Sequence, residues 1–352
     1  MAPQIQDPLL PPGSLILVIA ANGLIASHIV DQLLHYGYNV RGTVRDLTRC
    51  SWMLPLFQSR HPDVKFSLIE IPDIEAPGCY DDALRDVSAV IQTAAINIFT
   101  DDPTIISRSV TANLNILSSA AAANKSGAQI RRVVFTSSSW AVMFPTPNTP
   151  ANLTTATYNT TAEIALRDPN TPKEARPVLT YVAAKTRAEQ EAWAWARENR
   201  DAGFDVNTVL PATCIGPVLA PTDQQYPTTA GYVRSLYEGV NAEVFEWLDP
   251  QWYVDVRDAA RLHVAAAVLE GVESERIFAW AEPYTWVGVA KVLEETMGRK
   301  VPIMLRDRGE DLTKPPMERS VGLLKRLQCE GYERFEVSVR ENIRSYYPEG
   351  TS

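Results

Sequence analysis

A tyrosine and a lysine four residues apart, Tyr181 and Lys185, have the clearest potential for chemistry in this sequence. On a helix this spacing places both side chains on one face, one turn apart. A phenol has a pKa of about 10, and an ammonium group beside it favours the phenolate and lowers that pKa. The pair therefore predicts a group that exchanges a proton with a carbonyl or alcohol oxygen. The spacing alone leaves open an exposed Tyr/Lys pair on an amphipathic helix.

A serine run, residues 137–139, follows the apolar segment Arg132–Thr136, which predicts a buried strand. Residues after the strands of a parallel sheet lie at its carboxyl edge, where ligands bind. The serines are therefore candidates for holding a substrate oxygen. A serine run is also typical of an ordinary turn.

A strand, a turn of small residues and a helix open the chain at Leu15, and the helical pattern runs to about Leu34. This arrangement predicts a pyrophosphate site, because free N–H groups and the helix dipole face the anion. Spaced as G-x-x-G-x-x-G, the turn keeps only Gly23, with Ala20 and Ala26 at the outer positions. A plain turn between strand and helix is the alternative.

Arg45 ends the second predicted strand, Asn39 to Arg45, and Arg49 follows a turn later. At this place in a nucleotide-binding unit an acidic residue binds the ribose of NAD, whereas an arginine binds the 2′-phosphate of NADP. Asp46 lies one position further on. The arginines favour NADP, and solvated loop charges are the alternative.

The rest of the chain alternates strands and helices, which predicts a doubly wound parallel α/β sheet of the Rossmann type with a smaller, mostly helical C-terminal substrate domain. We expect a tail at 1–13, an NADP-binding domain at 14–212 and 251–280, and a substrate domain at 213–250 and 281–352. Residues 145–177 are expected to be irregular. The other expected elements are strands at 64–69, 89–93, 205–210 and 276–280, helices near 82–87, at 105–124 and from Tyr181, a strand and helix over 252–267, and mostly helix from Val287.

Composition excludes several classes of protein. The 352 residues carry a net charge of −9, and the pI is about 5.1, which argues against a nucleic-acid partner. The four cysteines are scattered, so we expect neither a disulfide framework nor a metal site. The N-terminus has no basic region and the run Leu15 to Ala21 is too short to span a bilayer. These features predict a cytoplasmic protein without a membrane partner.

Six blocks stand in one order and spacing: ANGLIASHIVDQLL, YNVRGTVRD, RRVVFTSSS, YVAAKTRAEQEAW, VLPATCIGP and WYVDVRDAARLHV. Through them nearly the whole chain resembles the extended short-chain dehydrogenases/reductases. It is most similar to the dihydroflavonol-reductase-like branch, which includes fungal and yeast NADPH-dependent aldehyde and ketone reductases.

The resemblance implies a catalytic role for Ser138, Tyr181 and Lys185. Tyr181 would donate the proton, Lys185 would lower its pKa and bind the nicotinamide ribose, and Ser138 would bind the substrate oxygen. It also implies a set of cofactor-binding residues: Ala20, Asn22, Gly23, Leu24, Ile25, Arg45, Arg49, Asp73, Ile74, Thr93, Ala94, Tyr181, Lys185, Pro211 and Cys214. The substrate pocket would include the segment from Ile96 to Phe99, Trp140, Val142, Met143 and Tyr226. The charged block Asp255, Arg257 and Asp258 is expected to be structural.

The chain departs from the family pattern at the first turn, where Ile19-Ala20-Ala21 replaces T-G-A, and at Gln92, where a histidine is usual. An alanine at Ala20 costs about 1 kcal/mol if the turn needs a positive φ. We expect an NADPH-dependent reductase of a bulky, mostly apolar aldehyde or ketone, as a monomer or homodimer. The alternatives are a sugar-nucleotide epimerase or dehydratase that retains NAD, which Arg45 disfavours, and a nucleotide sensor without turnover, which Ser138, Tyr181 and Lys185 disfavour.

Overall fold

A computed structural model describes residues 3–96 and 99–348. Its strands, numbered in chain order, are β1 (Leu15–Ile19), β2 (Asn39–Val44), β3 (Phe66–Glu70), β4 (Val87–Gln92), β5 (Arg132–Thr136), β6 (Ala151–Asn152), β7 (Asp205–Pro211), β8 (Thr213–Ile215), β9 (Gln251–Asp255), β10 (Arg276–Ala279), β11 (Glu282–Tyr284) and β12 (Thr313–Lys314). Its helices are α1 (Leu24–His35), α2 (Met53–Arg60), α3 (Thr104–Lys125), α4 (Thr161–Arg167), α5 (Arg176–Glu198), α6 (Pro221–Gln224), α7 (Thr228–Glu238), α8 (Val256–Val268), α9 (Trp286–Met297), α10 (Glu318–Arg326) and α11 (Phe335–Tyr346).

The central sheet is parallel and covered on both faces. Within the described residues it has seven strands, in the order β10-β7-β5-β4-β1-β2-β3. Successive side chains of β1 enter opposite layers: Ile16 and Val18 join the core under α1 and α8, whereas Leu17 and Ile19 join the core under α3 and α5. A strand buried on both faces explains its unbroken apolar sequence. The predicted doubly wound fold is confirmed.

A smaller assembly follows the central sheet. The strands β8, β9 and β11 form a second sheet, and an apolar cluster with α7, α9 and α11 packs beside it. By contrast, Leu323 and Leu324 of α10 pack in the main core. The proposed domain boundaries remain a prediction, and β9, from the predicted cofactor domain, pairs with strands of the predicted substrate domain.

Three predictions about local structure were wrong. Residues 81–86 form turns, not a helix, and Asp86 has a φ of +62° just before β4. The insert 145–177 contains α4 and the short strand β6, which pairs with β12. Helix α5 begins at Arg176 with a proline in its first turn, so Tyr181 lies inside the helix instead of at its start.

The described part of the predicted N-terminal tail is attached to the fold. Ile5 and Leu10 are buried, and the Leu9 N–H donates to the carbonyl of Val268 at 2.8 Å. The Gln6 N–H donates to the carbonyl of Arg326 at 3.2 Å, at the end of α10. Across residues 3–96 and 99–348, no helix combines the length and apolarity needed to cross a membrane.

Candidate active site

Helix α5 carries Tyr181 and Lys185 to the carboxyl edge of the sheet beside β5. Its small buried residues, among them Ala184 and Ala188, allow close packing on α3. The Asn113 side-chain amide of α3 donates to the carbonyl of Ala188 at 3.2 Å, which fixes the pair of helices. The cleft that this packing leaves is lined by Ala94, Ile96, Phe135, Tyr181, Lys185 and Glu189, among others.

Ser138 lies beside the phenol of Tyr181. It follows β5, and its hydroxyl accepts a hydrogen bond from the Trp140 N–H at 3.2 Å. Burial raises the pKa of Tyr181 above its ordinary value, and a hydrogen bond from the Ser138 side chain partly opposes this rise. The expected lowering of the Tyr181 pKa by Lys185 was wrong, because burial has the larger effect. The phenol is therefore protonated at neutral pH, which is the form that a proton donor requires.

Lys185 is held by the end of β5. Its ammonium group donates to the carbonyl of Thr136 at 3.2 Å. Burial lowers the pKa of Lys185 to about 8, and the negative charge of Glu189 opposes that fall. Lys185 is consequently still a cation at neutral pH, one turn from Tyr181.

Two buried side chains support this end of β5. The Thr136 hydroxyl bonds to His263 Nε2 at 2.8 Å, and His263 Nδ1 donates to the Ala259 carbonyl at 2.7 Å. Glu189 accepts from the Ser137 hydroxyl at 2.6 Å and from Arg276 Nε at 2.6 Å. Since buried charges persist only when paired and hydrogen-bonded, this network fixes the backbone that carries Ser138.

The turn between β1 and α1 has a backbone conformation that is unfavourable for the alanine in its sequence. Ala20 has a φ of +58°, in the left-handed region that favours glycine. Its N–H donates to the Thr43 hydroxyl at 3.1 Å, and the Ala21 N–H donates to the Thr43 carbonyl at 2.9 Å. Gly42 makes room for the turn, because a Cβ there would lie 2.7 Å from the Ala21 side chain. β2 therefore imposes the strained turn.

The turn and the following helix fit a dinucleotide. Helix α1 begins at Leu24 after Gly23, and no side chain caps it, so the N–H groups of its first turn are available to an anion. Arg45 and Arg49 are exposed at the end of β2. Within the described part of the chain their guanidinium groups have no carboxylate partner. Asn22 and Ile25 lie in the same turn and first helical turn.

The remaining predicted cofactor residues line the same edge of the sheet. Asp73 is exposed, and the Asn115 side-chain amide donates to the Ile74 carbonyl at 2.9 Å. The Thr93 hydroxyl donates to the Ile19 carbonyl. Ala94 lines the cleft, whereas Pro211 and Cys214 are buried in β7 and β8.

The predicted pocket residues do not form one group. Trp140 lies next to the phenol of Tyr181, with ring centroids 6.0 Å apart, and Ile96 lines the cleft. Val142 is only 1% exposed and packs in the main core, and Met143 packs against that core. The Tyr226 hydroxyl donates to Glu238 at the surface. Of the segment predicted from Ile96 to Phe99, residues 97 and 98 lie outside the described residues.

Comparisons with known proteins agree with this geometry. The model of the NAD dependent epimerase/dehydratase family matches residues 16–278. The chain belongs to this family. Aldehyde reductase 2 of Sporidiobolus salmonicolor is 30% identical over 97% of this chain and 98% of its own. Ketoreductase adrE of Penicillium roqueforti is 35% identical over 97% and 98%. The predicted resemblance to extended short-chain dehydrogenases/reductases is confirmed at the family level.

Solved structures extend the likeness to the whole fold. Yeast methylglyoxal/isovaleraldehyde reductase Gre2, solved with NADPH, superposes with a TM-score of 0.76 over 94% of this chain and 97% of its own, at 23% identity. A UDP-glucuronic acid 4-epimerase from Bacillus cereus, solved with NAD, gives 0.66 over 96% and 99%, at 16% identity. At these identities the likeness shows the epimerase/dehydratase family's fold alone.

Within this family member, the charged block at the end of β9 and the start of α8 makes structural contacts. Asp255 is buried and accepts from Arg257 Nε at 2.9 Å and from the Ser338 hydroxyl at 2.6 Å. Asp258 pairs with Arg261 at 2.7 Å and accepts from the Glu333 N–H. These contacts join α8 to α11 and the segment before it, and support the predicted structural role.

Sequence reasoning missed Glu189, Gln224 and Trp247. Glu189 lies one turn after Lys185, so its spacing was a usable signal. Gln224 Nε2 donates to the Asn22 carbonyl at 3.2 Å and to the Ser27 hydroxyl at 3.1 Å, and Trp247 contacts Trp140. Contacts between residues so far apart in the sequence produce no periodic pattern from which they could be predicted.

Proposed function

We propose that this chain is an NADPH-dependent reductase of an aldehyde or ketone. The observation that carries the proposal is the Tyr181 phenol, which is protonated, interacts with the Ser138 side chain and lies one turn from the Lys185 cation. A carbonyl oxygen held by Ser138 and Tyr181 receives a proton from the phenol as negative charge develops on it. The named relatives, an aldehyde reductase and a ketoreductase, support this chemistry.

The cofactor fits the residues of the first turn. The N–H groups at the start of α1 would hold the pyrophosphate, and Arg45 with Arg49 would hold the 2′-phosphate. When bound, NADPH supplies the hydride. Asp73, Ile74, Thr93, Ala94, Pro211 and Cys214 would hold the adenine and nicotinamide ends, and Lys185 would bind the nicotinamide ribose.

The substrate is a small molecule with a bulky, mostly apolar body, and its pocket includes Ile96 and Trp140. We further propose residence in the cytoplasm, because all four cysteines, each within the described residues, are free thiols. A monomer or homodimer is the expected assembly, with the cofactor domain at 14–212 and 251–280.

The test is NADPH consumption, followed by absorbance, with a panel of aldehydes and β-keto esters. Tyr181→Phe is the matched variant: its ring still packs, but the transferable proton is lost. We expect turnover to disappear while NADPH still binds with nearly unchanged affinity. Turnover of Tyr181→Phe within about tenfold of the parent would refute the assignment. Rearrangement of an added sugar nucleotide, without net NADPH consumption, would instead favour an epimerase.

A further inference from the structure

A row of aromatic rings begins at the phenol of Tyr181. The Phe99 and Tyr181 ring centroids are 5.2 Å apart, and those of Trp140 and Tyr181 are 6.0 Å apart. Trp247 continues the row, at 6.4 Å from Trp140. We call Phe99, Trp140 and Trp247 the aromatic wall. It begins at the phenol that would donate the proton.

The rings at the two ends of this wall are not buried in the hydrophobic core. Phe99 is 47% exposed and Trp247 is 38% exposed. Large aromatic rings are usually covered, so their exposure beside a catalytic group points to a ligand that covers them.

Two of the three rings, Trp140 and Trp247, are nevertheless fixed in place. Trp140 Nε1 donates to the Gln251 side chain at 3.2 Å, and the Asn159 amide donates to the Trp140 carbonyl at 2.9 Å. On either side of Trp247 in the sequence, Phe245 and Leu248 are buried, and Phe245 packs edge-on against Trp286. Rigid rings lose little freedom when a ligand binds.

The polar groups around the wall favour an uncharged ligand. The guanidinium of Arg308, which lies next to Trp247, is bonded to the Glu246 carbonyl and to Asp249 at 2.9 Å. The groups that bond to Trp140, the side-chain amides of Gln251 and Asn159 and the Ser138 hydroxyl, are all neutral. A coenzyme A thioester or a sugar nucleotide brings phosphates that need unpaired cations, and this cation is already paired.

We propose that the substrate is a neutral carbonyl compound with a flat aromatic ring system, which lies on Trp140 and Trp247 while its carbonyl group meets Ser138 and Tyr181. This inference rests on the proposed reductase function and narrows its substrate class. Stacking of the substrate ring on these side chains adds to the binding free energy from burial of its apolar surface. Aromatic pairs prefer tilted or offset contacts at the centroid distances found in this wall.

The experiment compares two aldehydes of nearly equal size, 2-naphthaldehyde and its saturated counterpart decahydronaphthalene-2-carbaldehyde. For the parent we expect kcat/KM to favour the aromatic aldehyde by about three- to tenfold. Trp247→Leu should remove most of this preference, mainly through KM, and Trp247→Phe should restore part of it. Trp195→Leu is the matched control, because its ring stacks on Phe204 in the other core layer; it should leave the preference unchanged.

A binding measurement separates this inference from the proposed function. The product analogue 2-naphthalenemethanol is titrated by calorimetry into the parent and Trp247→Leu, with NADP present. Weaker binding to Trp247→Leu supports the aromatic wall even if neither aldehyde is reduced, in which case only the proposed function fails. Equal kcat/KM values for both aldehydes in the parent would refute the proposed aromatic substrate. Equal decreases in kcat/KM for both aldehydes in Trp247→Leu would also refute it. In either case the chain would still be a reductase.

Discussion

At the scale of single residues, the guanidinium of Arg45 controls the proposed choice of cofactor. A 2′-phosphate accepts two parallel N–H bonds from one guanidinium, and each hydrogen bond to a charged group contributes about 1.5 to 3 kcal/mol. We therefore expect Arg45→Ala to weaken NADPH binding about ten- to a hundredfold and NADH binding very little. The preference should also fall with added salt, because Arg45 is exposed.

Dissociation constants for both cofactors, measured by fluorescence titration, check this expectation. Arg85→Ala is a suitable control, since that exposed arginine pairs with Asp82 away from the turn. Equal losses for NADH and NADPH in Arg45→Ala would mean that Arg45 supports the loop and does not bind the phosphate.

Ala20 gives a second prediction at this scale. Its φ of +58° costs an L-residue about 1 kcal/mol, and glycine adopts that conformation freely. We expect Ala20→Gly to tighten NADPH binding by up to about fivefold, equivalent to about 1 kcal/mol. The greater freedom of glycine in the unfolded chain offsets part of the gain in stability.

The matched control is Ala26→Gly, the same substitution in the first turn of α1. There glycine should lower the free energy of unfolding by about 1 kcal/mol, because it weakens a helix. Denaturant unfolding and NADPH titration of both variants give the comparison. If Ala20→Gly destabilises the protein as much as Ala26→Gly does, the positive φ carries no strain.

At the scale of elements, α5 would make the proposed turnover depend on pH. The pKa of Lys185 is lowered to about 8 by burial, so its cation is lost as pH rises through that value. We expect kcat/KM for NADPH, which reports ionisations of the free enzyme, to be level below pH 8 and to fall about tenfold per pH unit above it. Glu189→Gln should shift this decline to lower pH, because the charge of Glu189 raises the pKa of Lys185.

Glu191→Gln provides the control on the same helix. Glu191 is a surface residue paired with Arg187, so its loss should leave the decline where it is. If Glu189→Gln leaves the pH of the decline in kcat/KM unchanged, the charge of Glu189 does not raise the pKa of Lys185. This conclusion holds whatever the variant does to stability.

The strands show what the sequence could predict and why. β1 and β5 match their predicted segments, because strands buried on both faces carry unbroken apolar runs. β7 also matches within one residue, although Asn207 and Thr208 interrupt its apolar run. The turn at 81–86 was mistaken for a helix, since its composition does not reveal the positive φ of Asp86. The contacts of Trp247 with Trp140 and of Gln224 with Asn22 join chain segments far apart in sequence, which local patterns do not encode.

At the scale of the whole molecule, α10 ties the C-terminal part to the main core. Leu324 is fully buried and packs with residues of α1 and α8. Leu324→Ala should lower the free energy of unfolding by about 2 to 5 kcal/mol, and the protein should still unfold in one transition. Urea unfolding followed by both circular dichroism and tryptophan fluorescence tests this.

Leu312→Ala is the control, because Leu312 is 37% exposed and its truncation should change stability by less than about 0.5 kcal/mol. Two separate transitions, with only one shifted in Leu324→Ala, would mean that the C-terminal part folds independently.

The hydrogen bond between Gln6 and Arg326 has a consequence for synthesis on the ribosome. The chain is made from its N-terminus, yet residues 5–10 find their partners only after α8 and then α10 have emerged. Pairing over so many residues is slow, because the intervening chain must first be ordered. Residues 5–10 are thus translated well before the segments that secure them, and until then Ile5 and Leu10 are exposed to chaperones and proteases.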